Sequence, residues 1–275
     1  MNNSTEDTIR DHSGGQLMAG EANHIVVDGV SKVYDSGKGP AVTAISQASF
    51  KIKRGEFVSI LGPSGCGKST LLMIVSGLDT ASTGAVHIDG QPVSRPRSTT
   101  GMMFQDSTLL PWKSVLDNVL FPIDVQRKSR EKYLPAAHDL LQLTGLQDFA
   151  DRRPSELSGG MRQRVSICRS LIYDPDVLLM DEPFSALDAI TRDELGEALL
   201  NIWQVKPKTG LFVTHSIREA AYLSDRILVM SSRPGRIVED ISVSFTRPRV
   251  PALQAQSEFI KLCAFLKKSI HARYD

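Results

Sequence analysis

The run Gly62-Pro63-Ser64-Gly65-Cys66-Gly67-Lys68-Ser69 joins three glycines to a lysine and a hydroxyl, a set suited to holding the phosphates of a nucleoside triphosphate. Gly62, Gly65 and Gly67 let the backbone curl until its N–H groups point inward, and a helix beginning behind the loop turns its positive end toward the same anion. Lys68 adds a mobile positive charge at the β- and γ-phosphates. Ser69 offers a hydroxyl to Mg²⁺, an ion that takes hard oxygen ligands and shares them with nucleotide phosphates. The flanks suit this chemistry: an apolar strand over residues 56–61 leads in, and an apolar helix over 70–76, begun by Thr70 and stopped by Gly77, leads out. The whole run with Thr70 is the expected phosphate cradle. Cys66 sits among inward N–H groups beside Lys68, a setting that favours the thiolate; alternatively it fills a small space out of reach of reagents.

A second glycine-bearing run, Leu157-Ser158-Gly159-Gly160-Met161-Arg162-Gln163-Arg164, resembles the signature motif of ABC ATPases. Gly159 and Gly160 permit close backbone approach, Ser158 presents a hydroxyl, and a helix begun at Met161 aims its dipole at an anion. Ser158 also suits the N-cap of that helix, and the two roles are compatible. The resemblance implies that Ser158, Gly159 and Gly160 grip ATP held by a second copy of the chain, in a head-to-tail dimer.

The same resemblance extends over residues 25 to about 245 and carries further roles. Asp176-Val177-Leu178-Leu179-Met180-Asp181-Glu182-Pro183 reads as a buried strand with an acidic tip. There Asp181 matches the residue that orients Mg²⁺, and Glu182 the general base for the attacking water. Ser185-Ala186-Leu187-Asp188 resembles the loop that crosses the dimer interface, with Asp188 near the nucleotide. His215, at the end of Leu211-Phe212-Val213-Thr214, matches the switch histidine that aligns the γ-phosphate and the water. Gln105 stands where the family places a glutamine reaching Mg²⁺ and the water, at the hinge into a helical subdomain. Tyr34 stands where an aromatic residue stacks on adenine; tyrosine is also common in half-buried strands, which leaves that alternative open.

These residues need a scaffold, and the expected one is an α/β fold: a P-loop ATPase core with a mainly parallel sheet, an antiparallel β subdomain and an inserted helical subdomain. Residues 1–23 are polar and aperiodic and read as a flexible tail. Residues 24–245 form the ATPase domain, with antiparallel strands up to about residue 100 and the helical insertion over 106–160. The pattern Ala136, Leu140, Leu141, Leu143 is at helical spacing and is expected in the core. Residues 246–275 form a short extension with an amphipathic helix over about 259–270, too short for a regulatory β-domain.

With 275 residues, 41% hydrophobic and 23% charged, the chain can bury a substantial core. A formal net charge of +1 argues against a broadly basic surface for nucleic acid. No stretch reaches the roughly 18 apolar residues of a membrane span, and no signal-peptide core opens the chain. The three cysteines form no metal-like cluster and suit a reducing compartment. Within the ABC ATPases, the runs Phe104-Gln105-Asp106, Leu109-Leu110-Pro111-Trp112, Val115-Leu116-Asp117-Asn118-Val119 and Ser232-Arg233-Pro234-Gly235-Arg236-Ile237 resemble those of nitrate, sulfonate and taurine importers. That implies a peripheral ATPase on the cytoplasmic face of the membrane, an integral permease partner, and a substrate-binding protein outside. Leu110, Pro111 and Trp112 then line the socket for the permease's coupling helix; the simpler reading has Pro111 starting a helix and Trp112 packing into the subdomain. The functional alternative is a soluble ABC ATPase clamp acting on nucleic acid or a macromolecular assembly.

Overall fold

The computed structural model describes residues 23–271 apart from Ser36, Lys38 and Ala186, so the expected tail lies outside the described residues except for Asn23. In chain order the elements are β1 (Asn23–Tyr34), β2 (Val42–Lys53), β3 (Phe57–Leu61), α1 (Lys68–Ser76), β4 (Thr83–Ile88), β5 (Gln91–Pro92), β6 (Thr100–Met103), α2 (Val115–Val125) and α3 (Arg130–Leu143). They continue with α4 (Gly159–Leu171), β7 (Val177–Asp181), α5 (Ala189–Val205), β8 (Thr209–Thr214), α6 (Ile217–Leu223), β9 (Arg226–Met230), β10 (Ile237–Ser242) and α7 (Ser257–His271).

Burial patterns sort the strands into two sheets. β3 and β8 are buried at every position, and such unbroken apolar runs belong to a sheet covered on both faces. They lie at the centre of the order β10-β9-β3-β8-β7-β6, parallel throughout except for β10 against β9. β2 instead alternates, burying Ala48, Phe50 and Ile52 while Ser49, Lys51 and Lys53 face outward, as a sheet with one solvated face requires. It joins the antiparallel order β2-β1-β4-β5. The fold is therefore the expected α/β arrangement, with one refinement: β3 lies in the stretch up to about residue 100 expected to be antiparallel, yet pairs in the parallel sheet.

Two apolar clusters flank that sheet. One packs α1 and the antiparallel sheet against Val58, Ile60, Leu179, Leu211 and Val213. The other packs α2 to α7 against the opposite face, where Phe57 meets Trp203 edge-on with ring centroids 4.7 Å apart. The last helix is held there by Phe259 and Leu266, both fully buried. Arg249 ties the preceding segment to the Tyr222 and Ser224 carbonyls at 2.9 and 2.8 Å.

Several expectations need correction. α4 begins at Gly159, two residues earlier than Met161, because Ser158 accepts the Met161 N–H and so caps the helix ahead of the glycines. Pro111 starts no helix: α2 begins at Val115 behind the N-cap Ser114, and residues 110–113 form a turn closed by Lys113 N–H donating to Leu110 O. Trp112 is 69% exposed, so it does not pack into the subdomain. In α3 the core face is Ala137, Leu140 and Leu141, while Leu143 is exposed in the last turn.

Candidate nucleotide site

The loop between β3 and α1 owes its shape to close approaches that only glycine permits. Gly67 has φ 105°, and a β-carbon there would stand 2.8 Å from Ala44 O. At Gly62 a β-carbon would stand 2.8 Å from Met230 O. The curled loop folds Lys68 back on itself: Nζ donates to Gly62 O at 3.0 Å and to Pro63 O at 2.9 Å, and the side chain is 3% exposed. Beside the loop opens a cavity of about 550 Å³ whose walls include Tyr34, Ser64, Gly65, Gly67, Lys68, Ser69, Thr70, Gln105 and Glu182.

The parallel sheet brings its carboxyl-end residues to this cavity. Ser69 Oγ donates to Asp181 Oδ1 at 2.8 Å, joining the start of α1 to the tip of β7. Glu182 follows with φ 41°, a left-handed conformation costing a non-glycine residue about 1–3 kcal/mol. It is held by its own N–H donating to Val213 O at 2.9 Å and by Ser185 N–H donating to its carbonyl at 3.1 Å. The result places Oε1 3.3 Å from Lys68 Nζ and Oε2 2.8 Å from His215 Nδ1. Since an ionised carboxylate only accepts, the histidine carries its proton on Nδ1 in this contact.

Electrostatics follow burial. Desolvation pushes the Asp181 carboxyl above its ordinary range and the Glu182 charge pushes the same way, while the Ser69 hydroxyl and Lys68 oppose. Burial likewise pushes the Cys66 thiol up despite Lys68, and the residue is 1% exposed. The expectation of a favoured thiolate is therefore wrong, and the space-filling alternative describes Cys66. For Mg²⁺ the donors fit: a hydroxyl and a carboxylate stand together, with the Gln105 amide on the same cavity. Among the described residues no cluster of three or more His, Cys, Asp or Glu is placed to hold a metal ion.

The single chain does not bring every expected residue to the cavity. Ser158 and Gly159 are exposed on α4 and do not line it, and Gly160 is buried against Thr191. Asp188 caps α5, its Oδ1 accepting Thr191 N–H at 3.0 Å and its Oδ2 accepting Thr191 Oγ1–H at 2.7 Å. Three residues beyond the sequence reading belong to the site's surroundings. Arg233 lines the cavity and donates from Nη2 to Gly65 O at 3.1 Å. Asp79 accepts the Tyr34 hydroxyl at 3.1 Å and Lys32 Nζ at 2.5 Å, while Lys32 lies 4.9 Å from the Tyr34 ring centroid. Arg169 ties the segment after Gln105 to α4 through the Ser107 and Thr108 carbonyls at 2.6 and 2.9 Å. The run around Arg233 had drawn notice only as a resemblance; Asp79 and Arg169 carry no local signal.

Comparison with known proteins gives the same reading. Residues 45–185 match the family described as ABC transporter. The taurine import ATP-binding protein of Rhizobium johnstonii is 42% identical over 254 residues, 90% of this chain and 97% of that one. The nitrate import ATP-binding protein of Synechococcus elongatus is 44% identical over 227 residues, 81% and 82% of the two chains. The dimeric post-hydrolysis structure of the ATP-binding cassette MJ0796, bound to ADP and Pi, superposes with a TM-score of 0.70 at 32% identity, covering 81% of this chain and all of that one. With the motifs in order on the matching fold, the chain belongs to the ABC transporter family, as one of its ATP-binding, ATP-hydrolysing subunits.

Proposed function

We propose that two copies of this chain, each binding ATP, drive a membrane permease that imports a small sulfonate, such as taurine, or nitrate. The carrying observation is the division of the site. Lys68, Glu182 and His215 meet within one chain, whereas Ser158 and Gly159 stand exposed outside the cavity. A second copy placed head to tail supplies them, so ATP binding drives closure only when both faces meet. The dimeric cassette of the related structure and the importer relatives support the self-dimer and the permease partner; a peripheral place on the cytoplasmic face and a binding protein outside complete the proposed assembly. Among the described residues no helix is long and apolar enough to cross a membrane. Exposed Trp112, within the helical insertion at 106–160, offers the permease an aromatic anchor.

In this reading Lys68 leaves its loop carbonyls for the β- and γ-phosphates, and Tyr34, fixed by Asp79, stacks on adenine. Ser69, Asp181 and Gln105 would hold Mg²⁺, which would supply positive charge against the phosphates. Glu182 takes a proton from water as the water oxygen bonds to the γ-phosphorus and the bond to the ADP oxygen breaks. His215 holds the γ-phosphoryl group in line. The test is recovery of tagged Glu182→Gln protein with ATP from detergent-solubilised membranes, followed by mass spectrometry. Co-purification of a polytopic membrane protein is expected; recovery of nucleic acid or soluble partners alone would overturn the importer reading.

A further inference from the structure

Close to Glu182 and His215 lies a carboxylate to which the hydrolytic site gives no task. Glu219, in the first turn of α6, has a side chain only 10% exposed. Its Oε2 accepts the Thr214 hydroxyl at 2.6 Å, and its Oε1 lies 3.4 Å from Arg192 Nε. Thr214 Oγ1 in turn accepts the Ser216 N–H at 2.9 Å. His215 is thus the middle residue of a turn closed by a hydroxyl, and Glu219 fixes the orientation of that hydroxyl.

The other half of the pair reaches the opposite side. Arg192 Nη2 donates to Leu187 O at 3.0 Å, in the segment that follows Glu182 and ends at the Asp188 cap. The Arg192 side chain is 34% exposed, and a half-buried ion pair of this kind adds little net stability, so its distinctive product here is the link it makes between two segments. Arg192 also adjoins Thr191, the residue on which Gly160 rests. The segment after Glu182 and the turn bearing His215 are therefore joined through one guanidinium and one carboxylate, with the start of α4 packed on the neighbouring Thr191.

We propose that Arg192 and Glu219 are positioning residues, a strut that keeps His215 in register with residues 185–188, so that a shift of that segment on dimer closure moves the histidine relative to Glu182. The inference rests on the roles given above to Glu182 and His215. It is a claim about coupling, and coupling is measured by a double-mutant cycle.

The experiment compares ATP turnover and equilibrium ATP binding in the full chain and in Glu219→Gln, Arg192→Gln, the double variant, Thr214→Val and Glu182→Gln. Glu219→Gln keeps the shape and an acceptor but loses the charge that holds Arg192. Each single change at 192 or 219 is expected to lower kcat about tenfold, with KM and the ATP Kd within about twofold, and the double variant to be no slower than the slower single. Losses that multiply, a kcat near that of the unaltered protein, or a loss confined to Kd would each overturn the strut. Thr214→Val removes the hydroxyl from the histidine's side. If Glu219→Gln fails to fold, normal turnover in Thr214→Val overturns the proposal by itself. If Glu182→Gln hydrolyses like the unaltered chain, the site reading fails and the strut with it. A dead Glu182→Gln beside a fully active Glu219→Gln defeats the strut alone.

Discussion

Gly160 lies so close to the side-chain methyl of Thr191 that a β-carbon on the glycine would stand 2.2 Å from Cγ2. The threonine cannot turn aside cheaply, because its hydroxyl donates to Asp188 Oδ2 at 2.7 Å. Gly160→Ala should therefore lower stability by about 1–3 kcal/mol through overpacking, partly offset by better helix propensity. Thr191→Ser in the same chain removes the methyl, keeps the hydroxyl bond and should restore most of the loss. Urea midpoints of the three proteins decide the matter; an alanine variant as stable as the parent would show that the contact relaxes freely.

Glu182 is shared between a lysine and a histidine, which separates its charge from its shape in a testable way. Glu182→Gln keeps the size of the side chain and one acceptor oxygen, which can serve Lys68 or His215 but not both, and removes the group that takes the proton. Turnover should fall by about 10²–10⁴, the range of a lost general base. ATP should bind at least as tightly, since a negative charge beside the γ-phosphate is gone. Single-turnover hydrolysis and equilibrium binding measure the two quantities, and hydrolysis within tenfold of the parent would remove the residue from the base role.

The residues that gather at the cavity were legible because their spacing is local. Gly62 to Ser69 must be adjacent in sequence to curl one loop, and Asp181 and Glu182 must end one strand. The supports were not legible, because they join distant segments: Tyr34 with Asp79, Arg192 with Glu219, and Arg233 with Gly65. The Ser158 cap of α4 was legible, with only the helix start set two residues late at Met161, whereas at α2 Ser114 and not Pro111 marks the boundary. Cys66 shows the same limit. Its neighbours in sequence favour the thiolate, yet burial behind Gly62 and beneath Gly235, whose β-carbon would stand 2.1 Å from Cys66 O, decides the sign.

Arg233 reaches the cavity from the loop after β9 and uses one of its five N–H donors on Gly65 O. A guanidinium there both braces the phosphate loop and adds positive charge to a site for a polyanion. Arg233→Ala should weaken ATP binding about tenfold, in line with the loss of a charge-assisted hydrogen bond. Arg233→Lys, keeping charge without the fork, should recover part of it. Titration at two ionic strengths adds a control: the advantage of the parent should shrink as salt rises. Equal affinities for parent and alanine variant would leave Arg233 with no part in binding.

Alkaline stability offers a test of the core behind α4. Cys168 is fully buried, with Sγ 3.3 Å from Thr144 Oγ1 and donating to Leu140 O at 3.5 Å, and burial pushes its thiol from 9.0 up to about 12. The folded state holds this proton more tightly than the unfolded chain does. The contribution is therefore whole below pH 9.0 and is lost as the pH rises toward about 12, at up to about 1.4 kcal/mol per pH unit. Burial pushes Tyr173 and Tyr222 up as well, with the same sign, whereas Arg249, lowered to about 10, contributes with the opposite sign. Cys168→Ser leaves those three groups in place and substitutes a hydroxyl that does not titrate in this range. Urea midpoints between pH 9 and 11 should fall more steeply for the parent than for the serine variant; parallel curves would mean that the thiol is not held in its proton-bound form by burial.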